Sequence, residues 1–313
     1  MDTYLALDLG GTKLLIGELD DCGNILNSKK YDSVFLEQRE AVSIIRASLD
    51  DYIKTVGWYD KQPVAIGVGL VGRVDTEQGI WLQIDPARTQ PIALAKELSG
   101  DYGIPCYLDN DVKSATRAEM EWGYGRISKN FIYINVGTGI AAGTVVNGAL
   151  VRGSHFNAGE VGHMRVGVNV GTTCCCGRND CIETIAAGIG FDCCARLFAG
   201  TYDTRLRILE GRGYRVNVAE VFELCREGDP LCVALVDNAA EGLANLIMNM
   251  VRVSDPDTVV LGGGVVADGF MLSKVKEKLN AETMRFVTNG VVITKLKPDL
   301  VGLLGAGVVA MNK

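Results

Sequence analysis

The chain states one pattern twice. Thr3–Gly10 is an apolar run ending in glycine, followed by Gly11-Thr12 and a second strand-like run, Lys13–Asp20. Phe131–Val136 is another such run, followed by Gly137-Thr138-Gly139 and the returning segment Ala141–Val146. Strands joined this tightly are antiparallel. We read the repetition as a structural duplication: an α/β protein of two similar lobes facing each other. Strand–glycine–strand is also common in any α/β protein. The 313 residues exceed what one ordinary hydrophobic core holds, which independently favours two domains or one large domain with a cleft.

The remaining elements follow from periodicity. Val42, Ile45, Leu49, Ile53 and Val56 recur at helical steps and Gly57 ends them. Val64–Leu70 is an apolar strand, Pro91–Leu98 a short helix and Pro105–Leu108 a short strand. A helix opens at Asp111 and runs to about Trp122, with Asn110 or Asp111 as its N-cap. The second half carries a polar, cysteine-rich loop over 152–183, then several helices, of which Leu231–Val251 is strongly periodic. Val259–Leu261 feeds Gly262-Gly263-Gly264, Val291–Thr294 is another strand, and Leu300–Met311 is an Ala/Gly-rich closing helix. No low-complexity linker interrupts the chain, so the lobes are expected to pack closely and hinge. The expected division is 1–111 with 300–313 against 112–299.

Charge and composition exclude several classes. A net charge of −7 argues against a nucleic-acid partner, since phosphate-backbone binders are usually basic. No apolar run approaches the roughly 20 residues that span a bilayer, so no membrane partner is expected. Met1-Asp2-Thr3 leads straight into a strand without a basic leader, which suggests the cytoplasm. Only His155 and His163 are available for histidine chemistry, and no G-x-S-x-G elbow stands out.

Three glycine clusters follow strands: Gly10-Gly11-Thr12-Lys13, Gly137-Thr138-Gly139 and Gly262-Gly263-Gly264. Loops without Cβ atoms let backbone N–H groups approach an anion. None is a Walker loop or a full dinucleotide fingerprint, so each alone is equally a turn; the constellation points to a phosphorylated nucleotide. Asp8, at a strand end, could hold Mg²⁺ through water, and Lys13 could offset phosphate charge. Asp109-Asn110-Asp111 stands at a strand-to-helix junction, where a carboxylate can be fixed well enough to take a proton, although an Asp there also serves as a cap. His163, Cys174, Cys176 and Cys181 have the spacing H-x10-C-x-C-x4-C, which suits a closed tetrahedral Zn²⁺ site. Cys175 should point away from that metal. Glu160 and Glu183 flank this loop and are suited to sugar hydroxyls, or to solvent.

At this point the sequence resembles the ROK family of sugar kinases and related repressors, within the actin/Hsp70/hexokinase-like superfamily. The matching segments are LDLGGTK (7–13), LDNDVKSATRAE (108–119), VGTGI (136–140), NAGEVGH (157–163), CCCGRNDCIE (174–183) and VVLGGGV (259–265). The resemblance implies two RNase H-like lobes around an interdomain cleft, a structural zinc loop in the second, and a last helix returning to the first. It implies ATP-dependent phosphorylation of a hexose or N-acetylhexosamine at C6, with Asp111 as general base. Asn110, Glu160, His163 and Glu183 would bind the sugar, near a loop reading Gly69-Leu70-Val71-Gly72. Gly10–Thr12 and Gly137–Gly139 would bind ATP phosphates, Gly262–Gly264 would lie against adenosine, and a homodimer would form. A sugar-responsive regulator is the alternative; the first phosphate motif begins within ten residues of Met1, which leaves no expected room for a winged helix before it. Four departures from the family pattern stand out: Val71 for a proline, Ala141-Ala142 for glycines, Lys113 for a small polar residue, and Asp180 for the glycine before Cys181.

Overall fold

The computed structural model describes residues 1–85, 88, 90–209, 211 and 214–312. It separates into two compact units, Met1–Arg126 with Leu150–Ala158 and Asp299–Lys313, and Ile127–Ala149 with Gly159–Pro298.

The first unit is built on strands β1 (Tyr4–Leu9), β2 (Lys13–Leu19), β3 (Ile25–Asp32), β4 (Ala65–Leu70) and β7 (Cys106–Asn110), in the order β3-β2-β1-β4-β7. β1 pairs antiparallel with β2 and parallel with β4, and β4 pairs parallel with β7. Helix α1 (Gln38–Thr55) sends Val42, Ile45, Leu49 and Tyr52 into a core with Leu5, Leu7, Ile66 and Val68. Each such side chain, fully buried, is worth roughly 1.5–3 kcal/mol. The short hairpin β5 (Arg73–Asp75) and β6 (Ile80–Gln83) was not expected from periodicity, because each strand is too brief to show it. The helix expected over 91–98 is α2, Leu94–Tyr102. Ile92 instead bridges to Trp81 through paired backbone bonds, which keeps the chain extended past Pro91.

Helices α3 (Asp111–Trp122) and α10 (Val301–Ala310) also belong to this unit. α10 can lie directly on the sheet because it is nearly all small or apolar. A Cβ on Gly67 of β4 would overlap the Ala306 carbonyl, and one on Gly305 would overlap the Ser114 carbonyl of α3. The last helix thus returns to the first sheet. The expected boundary at 111/112 is corrected: it would sever α3 from the strand that aims it. The structure keeps α3 with β7, ends the first segment at Arg126, and returns Leu150–Ala158 to the first unit.

The second unit repeats the design. Its strands are β8 (Phe131–Val136), β9 (Ile140–Val146), β10 (Ala149–Leu150), β11 (Thr258–Gly262) and β12 (Gly290–Ile293), in the order β10-β9-β8-β11-β12. β8 pairs antiparallel with β9 and parallel with β11, and β11 pairs parallel with β12. The order matches the first sheet strand for strand, and the three pairings given for each sheet match in direction. Helices α4 (Glu183–Ala186), α5 (Gly188–Leu197), α6 (Val218–Arg226), α7 (Pro230–Ser254), α8 (Phe270–Lys278) and α9 (Ala281–Met284) complete the unit. By length and composition α7 could cross a bilayer, contrary to the sequence expectation, but 61% of its apolar window is buried inside the protein, as in a core helix.

Candidate active site

Asp111 is placed by its neighbour. Asn110 ends β7 and caps α3: its Oδ1 accepts from Val112 N (3.0 Å) and Lys113 N (3.1 Å). Its Nδ2 donates to Asp111 Oδ1 and to the Gly72 carbonyl, both at 2.9 Å. Both lone pairs and both amide hydrogens are therefore engaged within the chain, so the visible role of Asn110 is to orient Asp111. Asp111 Oδ1 also accepts from Val112 N at 2.9 Å, which fixes one carboxylate oxygen at a helix N-terminus, where negative charge is favoured.

Gly72 supports this corner. Its φ is +88°, and a Cβ there would overlap the Gln83 carbonyl. The proline missing at position 71 is replaced by another restraint. Val71 O accepts the indole N–H of fully buried Trp81 at 3.0 Å. Lys113 is buried on α3.

A second support was not anticipated. Asp109 is fully buried, and Arg152, from the segment that returns to this unit, holds it in a fork at 2.9 and 2.7 Å. Arg117 stands 3.6 Å from the same carboxylate. The Asp109 pairing keeps the Arg152 guanidinium firmly charged, whereas burial lowers that of Arg117. Removing one partner of a buried ion pair costs about 3–5 kcal/mol in the general case; partial exposure of Arg152 places this pair at the lower end. Arg152→Ala is expected to lower Tm by several degrees in calorimetry, and Arg152→Ala with Asp109→Asn to recover part of that loss.

The first glycine turn joins β1 to β2. Gly10 N donates to Lys13 O at 2.9 Å, while a Cβ on Gly11 would meet nothing within 4 Å. Gly11 is therefore not required by packing, and the open position beside it suits the close approach of an anion. Gly264 is likewise open, whereas Gly262 and Gly263 abut Tyr133 and Val136 of β8 and are required by packing. In the second turn Gly137 N donates to Gly139 O at 3.0 Å and a Cβ on Gly137 would meet Asn135 Nδ2 at 3.4 Å, whereas a Cβ on Gly139 would stand 2.5 Å from Glu183 Oε2.

Asp8 lies partly buried beside Gly302 of α10, and desolvation raises its carboxyl to about 6, opposed by nearby Lys13. A raised folded pKa favours the protonated form. The stability linked to that proton is present below the unfolded value, near 4, and lost as pH rises through about 6. Asp8→Asn is therefore expected to raise Tm by a few degrees at about pH 8 and to match the wild type at about pH 4, as read by calorimetry.

His163, Cys174, Cys176 and Cys181 converge, with all ligand atoms within 4.8 Å of one another. His163 Nδ1 is 3.3 Å from Cys174 Sγ, and Cys176 Sγ is 3.6 Å from Cys181 Sγ. Tetrahedral zinc with its usual sulfur bonds separates two thiolates by ~3.8 Å, so the donor set fits. Burial pushes the Cys174 thiol up to about 12 and raises that of Cys181, while the backbone of Arg178 lowers that of Cys176. Cys175 is exposed and outside the cluster. Asp20, Asp21 and Cys22 also cluster, but Asp20 is spent on the turn, accepting from Cys22 N and Asn24 N.

Asp180 does more than tolerate its left-handed backbone, φ +55°. Its Oδ1 accepts from Val170 N (3.2 Å), Gly171 N (2.8 Å) and Thr172 N (2.9 Å). A glycine at this position would leave those donors without the carboxylate.

The profile of the ROK family matches residues 4–313. The chain belongs to the ROK family. It is 28% identical over 312 residues to a glucokinase of Halalkalibacterium halodurans, covering 97% of this chain and 93% of that one. It is 29% identical over 276 residues to an N-acetylmannosamine kinase of Haemophilus influenzae, covering 85% and 82%. Among solved structures, a ROK family glucokinase from Streptomyces griseus, crystallised with glucose and AMPPNP, superposes with a TM-score of 0.75 at 25% identity, covering 99% of this chain and 100% of that one.

Proposed function

We propose that this ROK protein is an ATP-dependent sugar kinase that transfers the γ-phosphoryl group to the C6 hydroxyl of a hexose or N-acetylhexosamine. The orientation of Asp111 by Asn110 carries the reading: a carboxylate held by two donors on one oxygen is suited to take the hydroxyl proton. The named relatives support the substrate class, and each unit is read as an RNase H-like lobe.

Phosphoryl transfer depends mostly on positioning and charge stabilisation. The Gly10–Thr12 and Gly137–Gly139 turns bind the phosphates through the amides that do not close them, since Gly10 N–H donates to Lys13 O and Gly137 N–H to Gly139 O; Lys13 adds charge, and Gly262–Gly264 approach the adenosine. Asp8 would hold Mg²⁺ through water, and Mg²⁺ there would supply charge to offset that of the phosphates. Glu160, His163 and Glu183 receive sugar hydroxyls. His163 Nδ1, which lies 3.3 Å from Cys174 Sγ, would hold zinc and leave Nε2 for the sugar, so the zinc loop would also orient a sugar ligand. Gly72 acts through its carbonyl bond to Asn110. A coupled ADP-release assay across hexoses and N-acetylhexosamines tests the proposal. Sugar-dependent ADP release with a 6-phosphate product is expected; sugar binding without turnover would instead mark a regulator.

A further inference from the structure

Glu183 touches the second glycine turn directly. It opens α4, two residues beyond Cys181, and its Oε2 accepts the backbone N–H of Ile140 at 2.9 Å. Ile140 is the residue that follows Gly139. The tight fit at Gly139, where a Cβ would stand 2.5 Å from this oxygen, has the same origin.

The rest of the turn is fixed from the same surroundings. Gly137 O accepts from Gly188 N (2.8 Å) and Thr138 O from Ile189 N (3.2 Å), both in the first turn of α5. On the other side, Gly159 O accepts from Ala142 N at 2.8 Å. A Cβ on Gly162 would overlap the Ile140 carbonyl and stand 3.1 Å from Glu183 Oε2. The segment carrying Glu160 and His163 therefore packs on the same few backbone atoms as Glu183.

Resting on the sugar-kinase reading above, we propose that Glu183 is a positioning residue for the nucleotide as well as a sugar ligand. One carboxylate oxygen holds the backbone of the phosphate turn at Ile140, and the other accepts a sugar hydroxyl. Sugar on the free oxygen holds the Glu183–Ile140 bond closed, and with it the turn that receives the phosphates, so sugar and nucleotide bind with positive coupling. Coupling between binding equilibria is reciprocal, and values of about 5–150-fold are typical.

Calorimetric titration of the full chain with Mg²⁺–AMPPNP, alone and with saturating sugar, tests this. D-glucose and N-acetyl-D-mannosamine serve as the sugar probes. In the wild type, the nucleotide Kd should tighten roughly 10-fold with the sugar that binds, and the sugar Kd by the same factor with nucleotide. In Glu183→Ala, the nucleotide Kd without sugar should weaken by roughly 10-fold and the coupling should vanish. Glu183→Gln keeps an acceptor for Ile140 N–H and should retain near wild-type nucleotide affinity while losing sugar affinity. Amide exchange at Ile140 in the wild type, slower with sugar bound, gives a readout that no variant can confound by misfolding.

A Glu183→Ala protein that loses sugar but binds nucleotide unchanged, or a wild type with no coupling and unaltered exchange at Ile140, overturns the inference. A wild type that binds neither probe sugar nor nucleotide counts instead against the kinase reading.

Discussion

Asp111→Asn should lower kcat by about 10²–10⁴-fold with a much smaller change in sugar KM, because a positioned general base contributes on that scale. The substitution is well matched to the site. An Asn at 111 keeps an oxygen to accept from Val112 N and from Asn110 Nδ2, so the capped corner of α3 survives. What it loses is the ability to take a proton. Steady-state kinetics over a sugar series would show the split, and a melting curve matching the wild type would separate chemistry from folding. Turnover like that of the wild type would remove Asp111 from the role. Asn110→Ala should act less selectively, since it removes the helix cap together with the bonds to Asp111 and Gly72.

Loss of zinc should be the second large effect. Protein purified without chelators should carry one zinc per chain by elemental analysis, Cys176→Ser close to none, and Cys175→Ser the full complement. Turnover should fall at least ~10-fold in Cys176→Ser, since outer-shell disruptions of metal sites alone cost about 10–100-fold. The fold as a whole should survive. In small zinc domains the metal supplies on the order of 10–16 kcal/mol and is the fold. Here the loop has a second anchor: Asp180 ties 170–172 without metal, and Thr172 Oγ1 meets Thr184 Oγ1 at 2.6 Å. Melting of the apo protein should therefore shift by a few degrees, with amide protection lost mainly between Cys174 and Cys181. A wild-type protein without zinc, or a Cys176→Ser protein with full zinc, would contradict the assignment.

Much of this molecule was readable because it is local. Period-two and period-3.6 patterns mark β1, β8, α1, α3 and α7. The repeated strand–glycine–strand units announce the matching sheets, and the four metal donors sit within 19 residues of chain. Asn110 was recognisable as a cap, but not as a residue whose amide hydrogens go to Asp111 and Gly72 as well. That fact depends on Gly72, brought beside it by the pairing of β4 with β7.

Sequence alone determined the longer elements, the duplication and the chemical types of the candidate groups, since these follow from side-chain spacing and from what backbone geometry each residue tolerates. Tertiary structure decided which groups support one another: Arg152 with Asp109 across 43 positions, Glu183 with Ile140 across another 43, and the three amides gathered by Asp180. A carboxylate announces only that it needs donors when buried. Which donors it finds is set by how the chain closes on itself, and that closure is a property of packing rather than of neighbouring letters.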